Sequence, residues 1–311
     1  MNPPDVSVVV CTYNRAALLT RTVESLFAQK TDSIFEILAI DNNSSDNTPA
    51  VVASLQTKSS LPLRYIHEPR QGNAYARNTG VEQAHAPIVA FIDDDVVAAE
   101  NWVDTIKSSF ERNPQLSFIG GKVLPLWDNE PPSWLTPANW APLALLDYGD
   151  EEKEIAGPMP LGLLTANIAF RKEVFAGGAR FSPSLQRVKD SIGSMEDTEF
   201  LMRLTRSGLI GRYLPQLVTW GVIDPARLTK NYHRRWHTGN GHFYAVMNDP
   251  EWERSKFTIG GVPGHLYRET ARNAVTWLTR VLTGKTDQAF VNECNLRFFR
   301  GFVKQRRRMG Q

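Results

Sequence analysis

Short apolar runs alternate with stretches of helical periodicity along the first hundred residues. Val6-Ser7-Val8-Val9-Val10 reads as a β-branched strand. Ala16 to Gln29 follows, with Leu18, Leu19, Val23, Leu26 and Phe27 on one stripe, the spacing of an amphipathic helix. Phe35 to Ile40 is a second strand and ends at Asp41. The polar stretch 42–49 makes a loop in which Asp46 or Asn47 caps the next helix and Pro49 sits near its first turn. Arg64 to His67 is a third strand, followed by Gln71-Gly72-Asn73 and a helix through Arg77 and Asn78. Ile88 to Ile92 is a fourth, uninterrupted by polar residues, as expected of a strand buried on both faces. Strand and helix alternating in this way predict an α/β fold with a mostly parallel sheet covered by helices.

The fourth run leads straight into Asp93-Asp94-Asp95. In an open parallel sheet ligands sit beyond the carboxyl ends of the strands. Tyr13, Asp41 and the acidic triplet all fall at such ends. Side chains alternate along extended backbone, so Asp93 and Asp95 are expected on the same side. Two converging carboxylates suit a hard divalent cation, Mn2+ or Mg2+, which leaves its other positions to water and phosphate oxygens. A solvated acidic turn is the competing reading of the triplet taken alone. No Gly-x-Gly-x-x-Gly follows the first strand, and there is no Gly-Lys-Ser/Thr phosphate loop. A diphosphate bound here would therefore need a metal rather than a glycine cradle.

The chain has 311 residues and a net charge of only +2, which gives no general argument for nucleic acid. The two cysteines, Cys11 and Cys294, are far apart, with no disulfide framework or metal-ligand spacing, and fit a reducing cytosol. Val6 to Val10 is too short for a signal-peptide core, and no apolar run approaches the roughly 18 residues of a membrane span. The expectation is a cytoplasmic protein that does not cross a membrane, with a peripheral position on the inner face of the cell membrane left open.

The middle of the chain breaks the alternation. Residues 127–141 are proline-rich and aromatic and read as a surface loop, in which Trp134 and Trp140 are a sugar-stacking platform, a lid, or packed side chains. Residues 147–154 read as a solvated acidic loop. Glu196 and Asp197 open a helix whose apolar face is Phe200, Leu201 and Leu204, with Ser194 as its cap; acids there also favour the helix dipole. His233 and His237 stand one turn apart on a further helix, a metal-binding spacing that lacks a third ligand. Arg227, Lys230, Arg234 and Arg235 make this segment basic: it holds a phosphate or is a solvated face.

Gly239-Asn240-Gly241 and Gly260 to Gly264 flank a stretch expected to be flexible. Two helices close the chain, from about 265 to 282 and from about 287 to 308. Leu266, Ala274, Trp277, Leu278 and Val281 form the apolar set of the first. Phe290, Val291, Leu296, Phe298, Phe299, Phe302 and Val303 form that of the second. The tail carries Arg297, Arg300, Lys304, Arg306, Arg307 and Arg308, with no acid among them. Arginines interleaved with aromatic residues are consistent with an interfacial helix on anionic lipid, or with a packed helix that has a frayed basic end.

Five segments together resemble the inverting nucleotide-sugar glycosyltransferases of family 2, of the GT-A type. They are Val8-Val9-Val10-Cys11-Thr12-Tyr13-Asn14-Arg15, Asp41-Asn42-Asn43-Ser44-Ser45-Asp46, Gly72 to Gly80, Phe91-Ile92-Asp93-Asp94-Asp95 and Glu196-Asp197. The resemblance spans roughly residues 5 to 240. It implies a three-layer α/β/α sandwich with a helical C-terminal extension. The division expected is 1–225 for the catalytic domain (1–100 for the nucleotide, 101–225 for the acceptor) and 226–311 for the extension.

By the same resemblance, the donor set is Thr12, Tyr13, Arg15, Asp41, Arg77, Asp93 and Asp94. Tyr13 and Asp41 would contact the base, Asp93 the ribose, and Arg77 would lie near the diphosphate. The metal ligands implied are Asp95 and Asp93, and the general base is Asp197 with Glu196 as the alternative. Asn167 and Arg171 would stand beside the donor sugar. The partners implied are a nucleotide-diphosphate sugar, a UDP-sugar first, and a glycan or lipid-linked acceptor in cell-surface polysaccharide synthesis. No nucleic acid is expected, and a homodimer stays open. Two departures matter. Thr165-Ala166 stands where the family often has a glycine pair, and Gly221 stands near where relatives often carry a metal-ligand histidine. The rival readings are a sugar-phosphate nucleotidyltransferase and a non-catalytic scaffold of the same fold.

Overall fold

Four parallel strands carry the amino-terminal half: β1 (Val6–Thr12), β2 (Phe35–Asp41), β3 (Leu63–His67) and β4 (Ile88–Asp93), in spatial order β3-β2-β1-β4. In this computed structural model, which describes residues 3–186, 192–193, 195–254 and 257–310, helices α1 (Ala16–Phe27), α2 (Thr48–Gln56) and α3 (Asn73–Gln83) make the crossovers. Val6, Val8, Val9 and Val10 are completely buried, as a strand covered on both faces must be. A Cβ on Gly80 would stand 2.4 Å from Val9 Cγ1, so the glycine is what lets α3 lie close on β1. The capping expectation resolves onto Asp46. Its Oδ1 accepts from the Thr48 amide at 3.0 Å and its Oδ2 from the Ala16 amide at 3.2 Å, so one carboxylate serves the starts of α2 and α1.

The sheet continues through β5 (Val96–Ala98), β6 (Phe118–Leu126), β7 (Lys153–Ile155), β8 (Ile168–Arg171) and β9 (Gly211–Val222), with α4 (Trp102–Arg112) and α5 (Glu196–Arg206) packed on it. Beyond β4 the order is β8-β6-β9-β5, with β7 also on β9. β8 runs antiparallel to both its neighbours, whereas β6 and β9 are parallel. The α/β class with a largely parallel centre is therefore present. The acidic run 147–154 is not merely solvated, since Lys122 pairs with Asp150 at 2.6 Å and Asp147 at 3.3 Å and the run leads into β7. Ser194, read as a cap, lies outside the described residues.

The chain forms two compact units. The first holds this sheet: residues 1–126, 144–183 and 196–222. The second holds 127–143, the described part of 184–195, and the chain from Ile223 onward. It contains α6 (Lys230–Met247), α7 (Pro250–Glu253), the hairpin of β10 (Thr258–Ile259) and β11 (Val262–Pro263), α8 (Gly264–Leu282) and α9 (Thr286–Met309). Its core is Ala245, Val262, Leu266 and Phe302, ringed by Tyr244, Trp252, Tyr267, Phe298 and Phe299.

One expectation changes in this unit and one alternative is decided. Gly239-Asn240-Gly241 does not border a flexible stretch but lies in the middle of α6, which runs on to Met247. A Cβ on Gly241 would fall 2.0 Å from the Phe298 carbonyl, and one on Gly301 1.9 Å from the Thr238 carbonyl. The glycines are there because α6 and α9 cross in backbone contact. Trp134 is buried edge-on to His233 and Phe290, with ring centroids at 4.8 and 5.0 Å, so it packs this unit. Gly260 and Gly261, at φ 57° and 72°, make the tight turn of the hairpin, as the paired positive dihedrals of such turns require.

Candidate active site

The strand register assembles the site. Thr12 lies opposite Asp41, and Cys11 opposite Asp93, so the three strand ends form one row. The chain turns at Asp94-Asp95 and is held there by the Val222 amide, which donates to the Asp95 carbonyl at 2.7 Å, and by the Thr22 hydroxyl, which donates to the Val96 carbonyl at 2.7 Å. Asp94 points inward and is buried. Its carboxylate accepts from Thr12 Oγ1 at 2.7 Å and from Arg15 Nη1 at 3.0 Å, and the same Arg15 nitrogen reaches Asp95 Oδ2 at 3.1 Å.

On the base side, Asp41 is buried. It accepts from the Ser44 amide at 2.9 Å and from the Tyr65 hydroxyl at 2.6 Å. Burial and then the adjacent carboxylate push the Tyr65 phenol up to about 12, so it remains a donor. Tyr13 is exposed, as a ring free to stack on a base would be.

Arg77 forms the hub. It is buried, lies over the Phe181 ring, and donates from Nη1 to Glu196 Oε1 at 2.8 Å and Asp197 Oδ1 at 2.9 Å, while its Nη2 is 3.8 Å from Asp93 Oδ1. The two acids at the start of α5 differ sharply. Glu196 is 1% exposed and its Oε2 has no partner among the described residues. The Asp197 side chain keeps 23% of its surface open, and its Oδ2 accepts from the Thr165 hydroxyl at 3.0 Å and the Thr165 amide at 3.3 Å.

The strand-end row and the acidic turn fall within residues 7–176, which match the model for glycosyl transferase family 2. The chain belongs to this family. It is 30% identical over 175 residues to glucosyl-dolichyl phosphate glucuronosyltransferase of Haloferax volcanii, which is 55% of this chain and 53% of that protein. It is 37% identical over 93 residues to GalNAc(5)-diNAcBac-PP-undecaprenol beta-1,3-glucosyltransferase of Campylobacter jejuni, 30% of each chain. The chain thus spans about half the length, or less, of these curated relatives. Its fold is shared with the mannosyltransferase PcManGT from Pyrobaculum calidifontis in complex with GDP-Man and Mn2+, at a TM-score of 0.63 and 17% identity over 98% of this chain and 88% of that one. It is shared also with S. aureus TarS 1-349 in complex with UDP-GlcNAc, at 0.53 and 15% over 99% and 92%.

The electrostatics of this family 2 site are those of crowded carboxylates. Asp93 is pushed up to about 7, first by loss of solvent, with Asp95, Asp197 and Asp94 adding to it and Arg77 opposing. Asp94 and Glu196 are raised in the same way, by burial first and then by an adjacent acid. The Asp93 side chain still has 35% of its surface open, so a cation from solvent can reach it. Among the described residues no three His, Cys, Asp or Glu side chains close on one point. Asp93 and Asp95 are the carboxylates of this turn that would hold a divalent cation, leaving room for phosphate and water oxygens. Gly221 lies opposite Val96 in the register, beside that turn, and contributes no ligand. His233 and His237 are in the second unit. Burial holds both near 4, and no third ligand joins them among the described residues.

Several residues lie differently from their sequence roles. Asn167 is buried as a clamp: it accepts from Trp102 Nε1 and donates to the Lys122 and Leu217 carbonyls, each at 2.8 Å. Arg171 turns to the Leu116 and Phe110 carbonyls. Thr165, which the sequence marks only as a departure from a glycine pair, and Tyr65 join the site through contacts that the sequence does not show. Both act through partners that are 32 and 24 positions away, and no local spacing announces such a contact.

Proposed function

We propose that this family 2 protein moves a sugar from a nucleotide-diphosphate sugar to a hydroxyl of a glycan or lipid-linked acceptor, with inversion at the anomeric carbon, in the synthesis of a cell-surface polysaccharide. The observation that carries this is the line Asp93–Arg77–Asp197. One buried guanidinium spans the carboxylate on the donor side and the half-open carboxylate on the acceptor side.

The chemistry follows from what each group can hold. Tyr13 offers a ring to the base, and Asp41, fixed by Tyr65 and Ser44, accepts from a base N–H. Asp93 accepts from a ribose hydroxyl. Asp93 and Asp95 would hold Mn2+ or Mg2+, which when bound neutralises the departing diphosphate. Asp197 takes the proton of the acceptor hydroxyl as that oxygen attacks the anomeric carbon from the face opposite the diphosphate. The bond from that carbon to the diphosphate oxygen breaks, the pair leaves with the diphosphate, and the proton stays on Asp197. Asp197 Oδ2 already accepts from both the hydroxyl and the amide of Thr165, so the proton goes to the second lone pair of Oδ1, which accepts only from Arg77. Glu196 is too buried to meet an acceptor and serves to anchor Arg77.

UDP is the first candidate base, in line with the TarS complex, and the GDP-Man complex of PcManGT makes GDP the second. Two curated relatives are named for dolichyl- and undecaprenol-linked substrates, which supports a lipid-linked acceptor. A nucleotidyltransferase would need a glycine-rich basic loop after β1, whereas here Thr12-Tyr13-Asn14-Arg15 runs directly into α1.

A melting-temperature panel of nucleotide sugars with and without Mn2+ tests the reading. At 100 times its dissociation constant, one ligand should add about 2.7 kcal/mol. The gain should need both nucleotide and metal and should vanish in Asp95→Ala. A panel with no shift for any nucleotide would turn the account to the scaffold reading.

A further inference from the structure

α8 is amphipathic the wrong way round for a helix that ends its work in a protein core. Its inner face meets α9: Tyr267 packs on Phe299 with ring centroids at 5.1 Å, Asn273 Oδ1 accepts from Asn292 and Asn295, and Arg280 donates to Asn292. The opposite face, stepping by three and four residues, is Arg268, Ala271, Arg272, Val275, Leu278 and Leu282, and all six are exposed. Val275, Leu278 and Leu282 are 66%, 51% and 77% open. Leu278, one of the apolar set of this helix, lies on its exposed face. Over its 19 residues the helix is about 28 Å long, so the stripe is a long one.

The stripe does not stand alone. At the amino end of α8 the hairpin carries two more exposed apolar side chains, Phe257 and Ile259, and is tied to the helix by the Tyr267 hydroxyl, which donates to the Ile259 carbonyl at 3.2 Å. The end of α9 lies beside it through the shared core of Val262, Leu266 and Phe302. There Phe299, Arg300, Val303, Lys304, Arg307 and Arg308 line an open groove of about 550 Å³. Arg297 and Arg306 of the basic tail pair internally, with Glu293 and Glu253. No ion pair engages Arg300, Lys304, Arg307 or Arg308 among the described residues.

We propose that this face of the second unit seats on an anionic bilayer surface, with Val275, Leu278, Leu282 and the hairpin tip entering the headgroup–acyl boundary and the α9 cations meeting lipid phosphates. The charge chooses the occupant. A second copy docked about a twofold axis would set the same surface, Arg268 and Arg272 included, against itself and bring like charges together. Apolar residues bordered by arginines are what an interfacial helix presents to anionic lipid. No helix among the described residues is long and apolar enough to cross a membrane, so the contact is a seat and not a span. This deepens the proposed function and rests on it for its purpose, since a lipid-linked acceptor would be met at that surface.

Flotation tests it without donor, acceptor or turnover, so its failure leaves the transferase reading standing, and failure of transfer leaves flotation readable. The full chain is mixed with vesicles of phosphatidylcholine alone or with phosphatidylglycerol. Binding is expected only to the anionic vesicles and should fall with salt. Replacing Arg300, Lys304, Arg307 and Arg308 by Gln should lower partitioning about 100-fold or more. The triple variant Val275→Ser, Leu278→Ser, Leu282→Ser, whose side chains are exposed and whose melting temperature should not fall, should lower it about 10-fold or more. Absence of binding to anionic vesicles overturns the proposal. So does a triple serine variant that floats like the wild type, since charge alone would then explain the binding. A concentration-dependent dimer that the triple variant abolishes, with vesicles ignored, would assign the face to a second copy instead.

Discussion

Thr165 donates its hydroxyl to Asp197 Oδ2 at 3.0 Å, on the carboxylate oxygen that Arg77 does not hold. The two grips fix the plane of the carboxylate at the start of α5. Thr165→Val keeps the shape and removes the donor. A hydrogen bond to a charged group contributes roughly 1.5–3 kcal/mol, so kcat should fall on the order of 10-fold or more while donor KM stays put. Thr165→Ser should restore most of it. A Val variant with unchanged kcat would show that Arg77 and the Thr165 amide suffice to position the base.

Arg77 neutralises two acids that it meets in a buried place. Arg77→Met leaves Glu196 and Asp197 facing each other without a cation, and breaking such a buried pair typically costs about 3–5 kcal/mol. Urea unfolding should show this as a lower midpoint. Burial and then Asp197 already raise Glu196, so its protonation should relieve the variant. The deficit should therefore shrink as pH falls.

Tyr65 holds Asp41 at 2.6 Å from a strand the nucleotide itself does not need to touch. Tyr65→Phe should weaken nucleotide binding several-fold, by about 1 kcal/mol for one lost hydrogen bond. Titration calorimetry with the nucleoside diphosphate reads it directly. An unchanged affinity would remove Asp41 from base recognition.

The loop that leads into α3 predicts an acid-sensitive contribution to stability. Glu68 is buried and is held down to about 2 from its ordinary 4.5, first by hydrogen bonds from Arg70, then, against burial, by Thr79. Its folded-state pKa is depressed, so its stabilisation is fully present above pH 4.5 and is lost as pH falls toward 2. After screening of the exposed Arg70, about 1–2 kcal/mol is expected. Chemical denaturation of wild type and Glu68→Gln should differ by that amount at pH 7 and converge near pH 2.

Much of the first unit could be read before folding because it is locally encoded. The strand ends at Thr12, Asp41 and Asp93 follow from short, mostly apolar runs, and in a parallel sheet such ends must gather. Other features depend on contacts that no local window contains. Ile168 to Phe170 looks like any short apolar run, yet β8 is antiparallel between β4 and β6, a choice made by pairing across the sheet. Gly241 carries the propensity of a linker, but the crossing of α6 with α9 needs a residue without a side chain, and packing overrides propensity there. Leu278 follows the helical spacing of a buried residue and is nevertheless exposed, because spacing defines a stripe without saying what covers it. Arg77 was legible as a site residue, but its hold on Glu196, 119 positions away, was not.

The central claim is that Asp197 is the base of an inverting sugar transfer. Its most direct test compares Asp197→Asn with the wild type, measuring nucleotide-sugar affinity by calorimetry and transfer to acceptor in the same preparations. The account predicts unchanged donor affinity and a loss of transfer of about 10²–10⁴-fold, the usual contribution of a general base. Near-normal transfer by the variant would contradict it and move the proton to another group.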